Sequence, residues 1–117
     1  MCLRLLLIDD ESFVTREITA ALDGQGFVIR EEQDAGRALE TIRGFRPDVV
    51  LLDFLMPKLH GGDVAWQIAS DPALKGVRII LFSEIPAVEL RPKMPPLQIV
   101  ILEKPLDIKR LIGLLRE

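Results

Sequence analysis

The segment Val49–Leu52 is an unbroken apolar run of valine and leucine, and it limits the possible folds more than any other part of the chain. Such a run is typical of a strand buried on both faces, as in parallel sheets, because a half-buried strand alternates polar and apolar residues. The run stops at Asp53, and the structure breaker Pro57 follows. The pattern predicts a central parallel strand with a carboxylate at its carboxyl end, where open α/β sheets place their ligands.

Other apolar segments predict four more strands, which are Leu3–Ile8, Phe27–Arg30, Val77–Phe82 and Gln98–Leu102. Amphipathic patterns with helical spacing lie between and after the strands. They predict a first helix that begins at an N-cap Ser12, and further helices that include Ala35–Ile42, Val64–Ile68 and Ile108–Leu115. Strands and helices thus alternate along the whole chain, and this order implies right-handed crossovers and a parallel sheet covered on both faces. We expect an α/β, flavodoxin-like, doubly wound sheet of five strands in the order 2-1-3-4-5.

The predicted fourth helix is unusual because prolines surround it. Four of the 8 prolines lie between residues 86 and 96. Pro92 removes a helix hydrogen bond and disfavours the helical conformation at Arg91. The fourth helix is therefore expected to be shortened or irregular and confined to about Ile85–Arg91.

Composition restricts the class of protein. With 117 residues, of which 49% are hydrophobic and 28% charged, the chain is expected to form a single globular domain over residues 1–117. The net charge of -3 and the lack of a basic cluster give no basis for nucleic-acid binding. The apolar run Leu3–Ile8 is too short for a membrane span or a signal peptide, and Cys2 is the only cysteine. These features predict a cytoplasmic protein that does not act at a membrane.

Four of the predicted strands end in groups that can do chemistry: Asp9 and Asp10, Asp53, Ser83, and Lys104. The carboxyl ends of parallel strands share one edge of the sheet, which we call the rim. Strands one and three are neighbours in the expected order, so Asp10 and Asp53 should lie close together. Carboxylates at close range repel one another unless a cation lies among them. Hard oxygen ligands with room for water favour Mg²⁺.

A Mg²⁺ site that faces a carboxylate, a lysine and a hydroxyl is typical of phosphoryl transfer. The sequence has no glycine-rich phosphate-binding loop, so the nucleophile is expected to be a carboxylate that forms an aspartyl phosphate. Asp53 is the best candidate because it lies at the centre of the predicted crevice. If the acids only capped helices and Lys104 were simply solvated, it would be a coincidence that five such residues share one rim.

These residues resemble the receiver domain of two-component response regulators, in the CheY-like superfamily. The resemblance covers the whole chain in order and rests on Asp9-Asp10, Asp53 with Met56-Pro57 and Gly61, Ser83, and Lys104-Pro105. Such a domain is a phosphoacceptor for signalling, which catalyses only its own phosphoryl transfer and dephosphorylation. The combination of an acidic pair, Asp-x-x-Met-Pro and Lys-Pro is specific.

The resemblance implies a role for each acid. Asp53 accepts the phosphoryl group from the phosphohistidine of a histidine kinase or a phosphotransfer protein. Asp10 and Asp53 bind Mg²⁺ directly, together with the backbone carbonyl of Leu55, and Asp9 binds it through water.

The resemblance also implies how the signal leaves the site. Ser83 is the switch hydroxyl, and Lys104 pairs with the phosphoryl group, with a cis peptide bond to Pro105. Output is expected through an output domain or a homodimer that uses the face formed by the fourth helix, fifth strand and fifth helix.

The chain departs from the family pattern at four points. His60 stands where the family usually has aspartate, Glu84 where a small residue usually follows the switch hydroxyl, and Ile101 where the fifth strand usually has an aromatic residue. The fourth departure is the short fourth helix. None of these removes the phosphorylation chemistry, and all except His60 fall on the surface that reports it. We therefore expect a competent site with an atypical output.

Two other functions compete with this prediction. One is a receiver-like interaction module that acts largely independently of phosphorylation. The other is an aspartate-nucleophile phosphohydrolase. Such enzymes carry their nucleophile after the first strand in an Asp-x-Asp pattern, whereas Asp9 and Asp10 are adjacent and no cap domain is present.

Overall fold

The fold rests on a five-stranded parallel sheet with the order β2-β1-β3-β4-β5, which confirms the predicted topology. The computed structural model describes residues 2–97 and 99–117. The strands are β1 (Leu3–Ile8), β2 (Phe27–Glu32), β3 (Val49–Asp53), β4 (Arg78–Ser83) and β5 (Ile99–Glu103). The predicted edge position of β2 follows from this order, and β3 is the central strand.

The α-helices are α1 (Ser12–Leu22), α2 (Ala38–Phe45), α3 (Gly61–Ala69), α4 (Ala87–Leu90) and α5 (Ile108–Leu115). Short 3-10 turns precede α2, follow α3 and extend α4, over Ala35–Arg37, Pro72–Leu74 and Arg91–Lys93. In residues 2–97 and 99–117, none of the helices has the length and apolar character needed to cross a membrane.

Strand ends differ from the predictions by one or two residues. The sequence placed the ends of the third, fourth and fifth strands at their last apolar residues, but β3, β4 and β5 each continue through one polar residue because backbone pairing does not depend on the side chain. The edge strand β2 runs two residues further than predicted, through Glu31 and Glu32. These carboxylates accept hydrogen bonds from Thr19 and Thr41, so the polar strand end is satisfied. The predicted start of β5 at Gln98 lies outside the described residues.

The sheet is buried on both faces, as its apolar runs predicted. Successive strand residues point to opposite faces. One layer lies against α2, α3 and α4 and contains Leu6, Ile8, Val50, Leu52, Ile79, Leu81, Ile99 and Ile101. The other lies against α1 and α5 and contains Leu5, Leu7, Val49, Leu51, Ile80, Phe82 and Leu102. The two layers hold the strands rigidly, so the rim has a fixed geometry.

The first helix begins as predicted at Ser12, but its N-cap is Glu11, and Glu11 makes no side-chain capping bond. The expectation that Ser12 caps the helix is wrong. Asp9 takes over part of this role, because its Oδ1 atom accepts a hydrogen bond from the Glu11 amide at 3.0 Å. Ser12 instead supplies the backbone carbonyl that accepts from the Thr15 hydroxyl at 3.0 Å.

The α4 helix is a single turn, which confirms the predicted shortening. It continues directly into the 3-10 turn Arg91–Lys93, where Pro92 has no amide to donate to an α-helical ladder. Pro86 stands at the N-cap. The prolines therefore limit the helix as expected, although the α-helical part is shorter than Ile85–Arg91.

Two side-chain hydrogen bonds hold the 3-10 turn that follows this short helix. The Trp66 indole N–H on α3 donates to the Lys93 carbonyl at 2.9 Å, and the Arg91 guanidinium donates to the Ile99 carbonyl at 3.2 Å. Trp66 remains 47% exposed and lies at the edge of the packing. The contacts join the 3-10 turn to both α3 and β5.

Gly61 lets the loop after β3 fold back against the strand. Its amide donates to the Phe54 carbonyl at 2.7 Å. A Cβ atom at this position would lie 2.3 Å from the backbone oxygen of Asp53 and 2.9 Å from the Phe54 Cα atom. Because those neighbours are backbone atoms, they cannot move aside without moving Asp53.

We expect Gly61→Ala to lower the free energy of unfolding by about 1–3 kcal/mol, the usual cost of forcing an extra carbon into a close-packed region. Gly113→Ala is the matched control, because Gly113 lies within α5 with no atom within 4 Å of its added Cβ. That control should instead gain about 0.5–1 kcal/mol from the better helix former. Urea unfolding followed by circular dichroism measures both changes. A Gly61→Ala protein as stable as wild type would contradict the close approach.

Candidate functional site

The chemically active side chains predicted from sequence all lie at the rim. Asp9 and Asp10 follow β1, Asp53 and Ser83 are the last residues of β3 and β4, and Lys104 follows β5. Strand β3 pairs with both β1 and β4, and Asp53 is in register with Phe82, the residue before Ser83. The parallel sheet therefore brings groups that are far apart in sequence to one edge.

Three acids form a compact cluster at the centre of the rim. One carboxylate oxygen from each of Asp9, Asp10 and Asp53 lies within 4.8 Å of the others. Asp9 and Asp53 are buried, with 2% and 4% of their surface exposed, and Asp10 is exposed. Such a group of hard oxygen donors with one side open to water has the character of a divalent-cation site.

Lys104 supplies the positive charge that faces this cluster. Its Nζ atom lies 3.1 Å from Asp53 Oδ1. The contact is an ion pair whose angle does not make a hydrogen bond, and among the described residues no donor satisfies this buried oxygen. A buried carboxylate oxygen without a donor costs free energy. The donor set and this orphaned atom therefore fit a bound cation such as Mg²⁺.

Burial shifts the acids toward their neutral forms. Loss of water on burial raises the pKa of Asp9 to about 7. The negative charges of Asp53 and Asp10 also raise this pKa, whereas the hydrogen bond from the Glu11 amide and the charge of Lys104 lower it. Burial likewise raises the pKa of Asp53, and Lys104 lowers it. A carboxyl with a raised pKa takes up a proton on folding. The contribution of Asp9 to stability is therefore fully present below the unfolded-state pKa of about 3.9 and is lost as the pH rises through about 7.

Ser83 is buried at the end of β4, with 1% of its surface exposed. Its Oγ atom accepts a hydrogen bond from the Ile85 amide at 2.8 Å. A hydroxyl can accept and donate at the same time, so this bond leaves the Ser83 proton available. The Ser83 carbonyl accepts from the Lys104 amide at 2.8 Å, which ties the lysine backbone to the rim. The peptide bond from Lys104 to Pro105 is cis.

His60, which replaces the usual aspartate, belongs to the start of α3 and not to the acid cluster. Its amide donates to the Asp63 carboxylate at 3.0 Å, and its ring lies 5.6 Å from the ring of Phe54. Leu55 lies in the loop after Asp53 with its side chain 47% exposed, and its carbonyl remains a predicted metal ligand. Glu84 is exposed beside Ser83.

One residue at the site was missed by sequence reasoning. The Nζ atom of Lys104 lies over the face of Phe82, 4.9 Å from the ring centroid. In the sequence, Phe82 is only the last apolar residue of a strand, so nothing in the pattern distinguishes it from a core residue. Its relation to Lys104 depends on pairing between β4 and β5, which periodicity does not reveal.

Together these groups can bind a divalent cation and a doubly negative group next to a nucleophilic carboxylate. The acids provide metal ligands, while Lys104 and Ser83 provide a cation and a hydroxyl donor for anionic oxygens. Phosphoryl transfer requires groups of these kinds.

Solved structures share this fold. The chemotaxis protein CheY4 of Vibrio cholerae matches with a TM-score of 0.88 and 20% identity, covering 99% of this chain and 98% of that chain. A structure described as the CheX-CheY-BeF3-Mg²⁺ complex of Borrelia burgdorferi matches with a TM-score of 0.83 and 24% identity, covering 95% and 84%.

Among curated proteins, the chain is 35% identical over 80 residues to the DNA-binding response regulator MtrA of Mycobacterium tuberculosis, covering 68% of this chain and 34% of MtrA. It is 37% identical over 70 residues to the response regulator MprA of Mycolicibacterium vanbaalenii, covering 60% and 30%. The chain spans about a third of the length of the curated relatives it matches.

The sequence model of the response regulator receiver domain matches residues 5–116, nearly the whole chain. That match agrees with the sheet order, the acid cluster and the lysine at the rim. The chain therefore belongs to the response regulator receiver domain family of two-component signalling systems.

Proposed function

We propose that this receiver domain accepts a phosphoryl group on Asp53 in a Mg²⁺-dependent reaction and signals through a change of its surface. One observation supports the proposal above the others. Asp53 Oδ1 is a buried carboxylate oxygen that has no hydrogen-bond donor among the described residues, and it lies 3.1 Å from the Lys104 ammonium. The ammonium beside this carboxylate can neutralise the negative charge that a phosphoryl group brings to the site.

The phosphoryl donor is the phosphohistidine of a histidine kinase or a phosphotransfer protein. A bond forms between an Asp53 carboxylate oxygen and phosphorus as the phosphorus–nitrogen bond to histidine breaks, and the electron pair leaves with the imidazole. Lys104 and the Ser83 hydroxyl face the new negative oxygens. The attacking oxygen supplies an electron pair to phosphorus and the step names no acceptor for a carboxyl proton, so the aspartate must be ionised when it reacts.

Asp10 and Asp53 would hold Mg²⁺ together with the backbone carbonyl of Leu55, and Asp9 would contribute through water. When bound, the ion neutralises the charge of the acids and of the transferring group. The closeness of the three carboxylates supports this assignment, as does the raised pKa of both Asp9 and Asp53. The Borrelia burgdorferi relative, whose description names both BeF3 and Mg²⁺, is consistent with the same chemistry here.

Asp53→Asn should abolish phosphorylation by acetyl phosphate and Mg²⁺, because the amide that replaces the carboxylate is not a nucleophile. Intact mass spectrometry measures the gain of one phosphoryl group. Asp71→Asn is the control, since Asp71 loses a similar charge but lies in an ion pair with Arg43 far from the rim. If Asp53→Asn still gains a phosphoryl group while folded, Asp53 is not the sole acceptor.

Asp10→Asn should raise the melting temperature of the Mg²⁺-free protein and reduce the increase that Mg²⁺ causes. The first effect is expected because Asp10 raises the pKa of both Asp9 and Asp53 by repulsion, and the second because a metal ligand is lost. Thermal melts in EDTA and in Mg²⁺ test both. Asp23→Asn, at the far end of α1, removes the same charge and should keep the wild-type Mg²⁺ response. An unchanged response in Asp10→Asn contradicts the metal site.

The surface change in this receiver is weaker than usual on the face formed by α4, β5 and α5. Ile101 on β5 is buried and has no ring to move into space left by Ser83. The end of α4 is also held to α3 by the Trp66 bond to Lys93. A ligand shifts an equilibrium only through contacts that differ between the two states, and here those contacts are few.

Beryllofluoride with Mg²⁺ should therefore change backbone amide shifts around Asp53 more than across residues 84–102. Trp66→Phe removes the bond to the Lys93 carbonyl and should enlarge the response of the α4 segment. Because Trp66 is the only tryptophan in the chain, its single indole N–H signal reports on this bond directly. Changes across residues 84–102 as large as those near Asp53 in the wild type show that the coupling is intact and the expectation wrong.

A further inference from the structure

The aromatic ring of Phe82 lies beneath the ammonium group of Lys104. Its side chain is buried, with 3% of its surface exposed, and its ring centroid lies 4.9 Å from Lys104 Nζ. Phe82 is also the β4 residue in register with Asp53 on β3. The same ammonium therefore contacts an aromatic face and the buried carboxylate.

Neither of these two contacts fixes the direction of the ammonium N–H groups. The contact with Asp53 is an ion pair whose angle does not make a hydrogen bond, and the contact with Phe82 is the attraction of a cation to an aromatic face. Lys104 is thus held in place by interactions that depend on distance more than on angle. Its N–H groups can turn from the carboxylate to a new anion while the contact with the ring is kept.

The surroundings of this contact are partly apolar. Lys104 and Phe82 lie at one side of a groove of about 400 Å³ between α1 and the loop after β5. Its apolar walls include Val14, Ile18 and Leu106. The lysine side chain is 29% exposed, so the attraction of its ammonium to the ring lies between that of an exposed contact and that of a desolvated one.

We propose that Phe82 is a positioning residue for Lys104, whose ring holds the ammonium over the rim in both the free and the phosphorylated protein. This inference rests on the proposed phosphorylation of Asp53. When the phosphoryl group arrives, the ion pair with Asp53 is replaced by one with phosphoryl oxygens, and the ring is the partner that stays. Without the ring's negative face, Lys104 is less well positioned in the free protein, and ordering it when the phosphoryl group arrives costs binding free energy. The phosphorylated state is therefore weakened without a change in the metal ligands.

The test replaces Phe82 with phenylalanines that carry increasing numbers of ring fluorines, ending at Phe82→pentafluorophenylalanine. Fluorine removes the negative charge of the ring face and keeps the ring shape and its apolar character. Beryllofluoride affinity at saturating Mg²⁺, measured from amide shifts, should fall stepwise with each added fluorine. The total loss should be about two- to twentyfold, the range that a cation over an aromatic face provides. Phe82→Leu should show a similar loss.

Phe45 is the matched control because it also lies beneath a cation. The guanidinium of Arg4 sits 4.2 Å from the Phe45 ring centroid, and Phe45 ends α2 while Arg4 is near the start of β1, at the opposite end of the strands from the rim. The same fluorine series at Phe45 should leave beryllofluoride affinity unchanged. The rate of phosphorylation by acetyl phosphate, read by intact mass, should follow the Phe82 series and not the Phe45 series.

A flat Phe82 series in a protein whose wild type binds beryllofluoride overturns the inference and leaves the proposed function standing. Equal losses in the Phe45 series also overturn it, since they show a global effect of fluorination. If the wild type neither binds beryllofluoride nor gains a phosphoryl group, the proposed function is wrong and the inference falls with it. Thermal melts of each variant check that the fold is kept, and the fluorine series decides the question if Phe82→Leu does not fold.

Discussion

At the rim of the sheet one ammonium group faces three carboxylates, and the rest of the structure makes this arrangement possible. Lys104 lies 3.1 Å from Asp53, which is buried, while 29% of the lysine side chain is exposed. The ammonium offsets the charge of an acid that has lost most of its contact with water. The carboxyl ends of β3 and β5 must therefore lie at the same edge of the sheet, and the chain after β5 must place Lys104 over that edge. The carbonyl of Ser83, which accepts from the Lys104 amide, fixes that return.

The apolar layers on the two faces of the sheet explain how such a crowded rim can exist. Residues such as Val50 and Leu52 on one face, and Val49 and Leu51 on the other, are almost completely buried. Their burial stabilises β3 by about 1.5–3 kcal/mol for each large side chain, enough to offset unfavourable charges at its end. Sites that work by electrostatics commonly carry such a local cost. Here the cost is visible in the raised pKa of Asp9 and Asp53.

Much of this structure could be predicted from sequence because the strong patterns were local. The apolar runs predicted all five strands, and their alternation with helices favoured the flavodoxin-like order that the sheet has. The acids, Ser83 and Lys104 were placed at one rim because parallel strands share that edge. What sequence patterns missed depends on contacts across the fold. Glu31 and Glu32 belong to β2 because threonines on neighbouring helices satisfy them, and Glu11 is the N-cap of α1 beside Asp9. The relation of Phe82 to Lys104 is of the same kind.

The anchoring of the short α4 segment has a consequence for association between chains. Strand β5 is at the edge of the sheet, and an edge strand exposes backbone groups that can pair with a strand of another molecule. The Arg91 guanidinium donates a hydrogen bond to the Ile99 carbonyl at the start of this strand. A charged side chain therefore lies where an incoming strand would begin to pair. The prolines that shorten α4 bring Arg91 to this place. The irregular segment therefore covers the start of this edge strand, where pairing with another chain would begin.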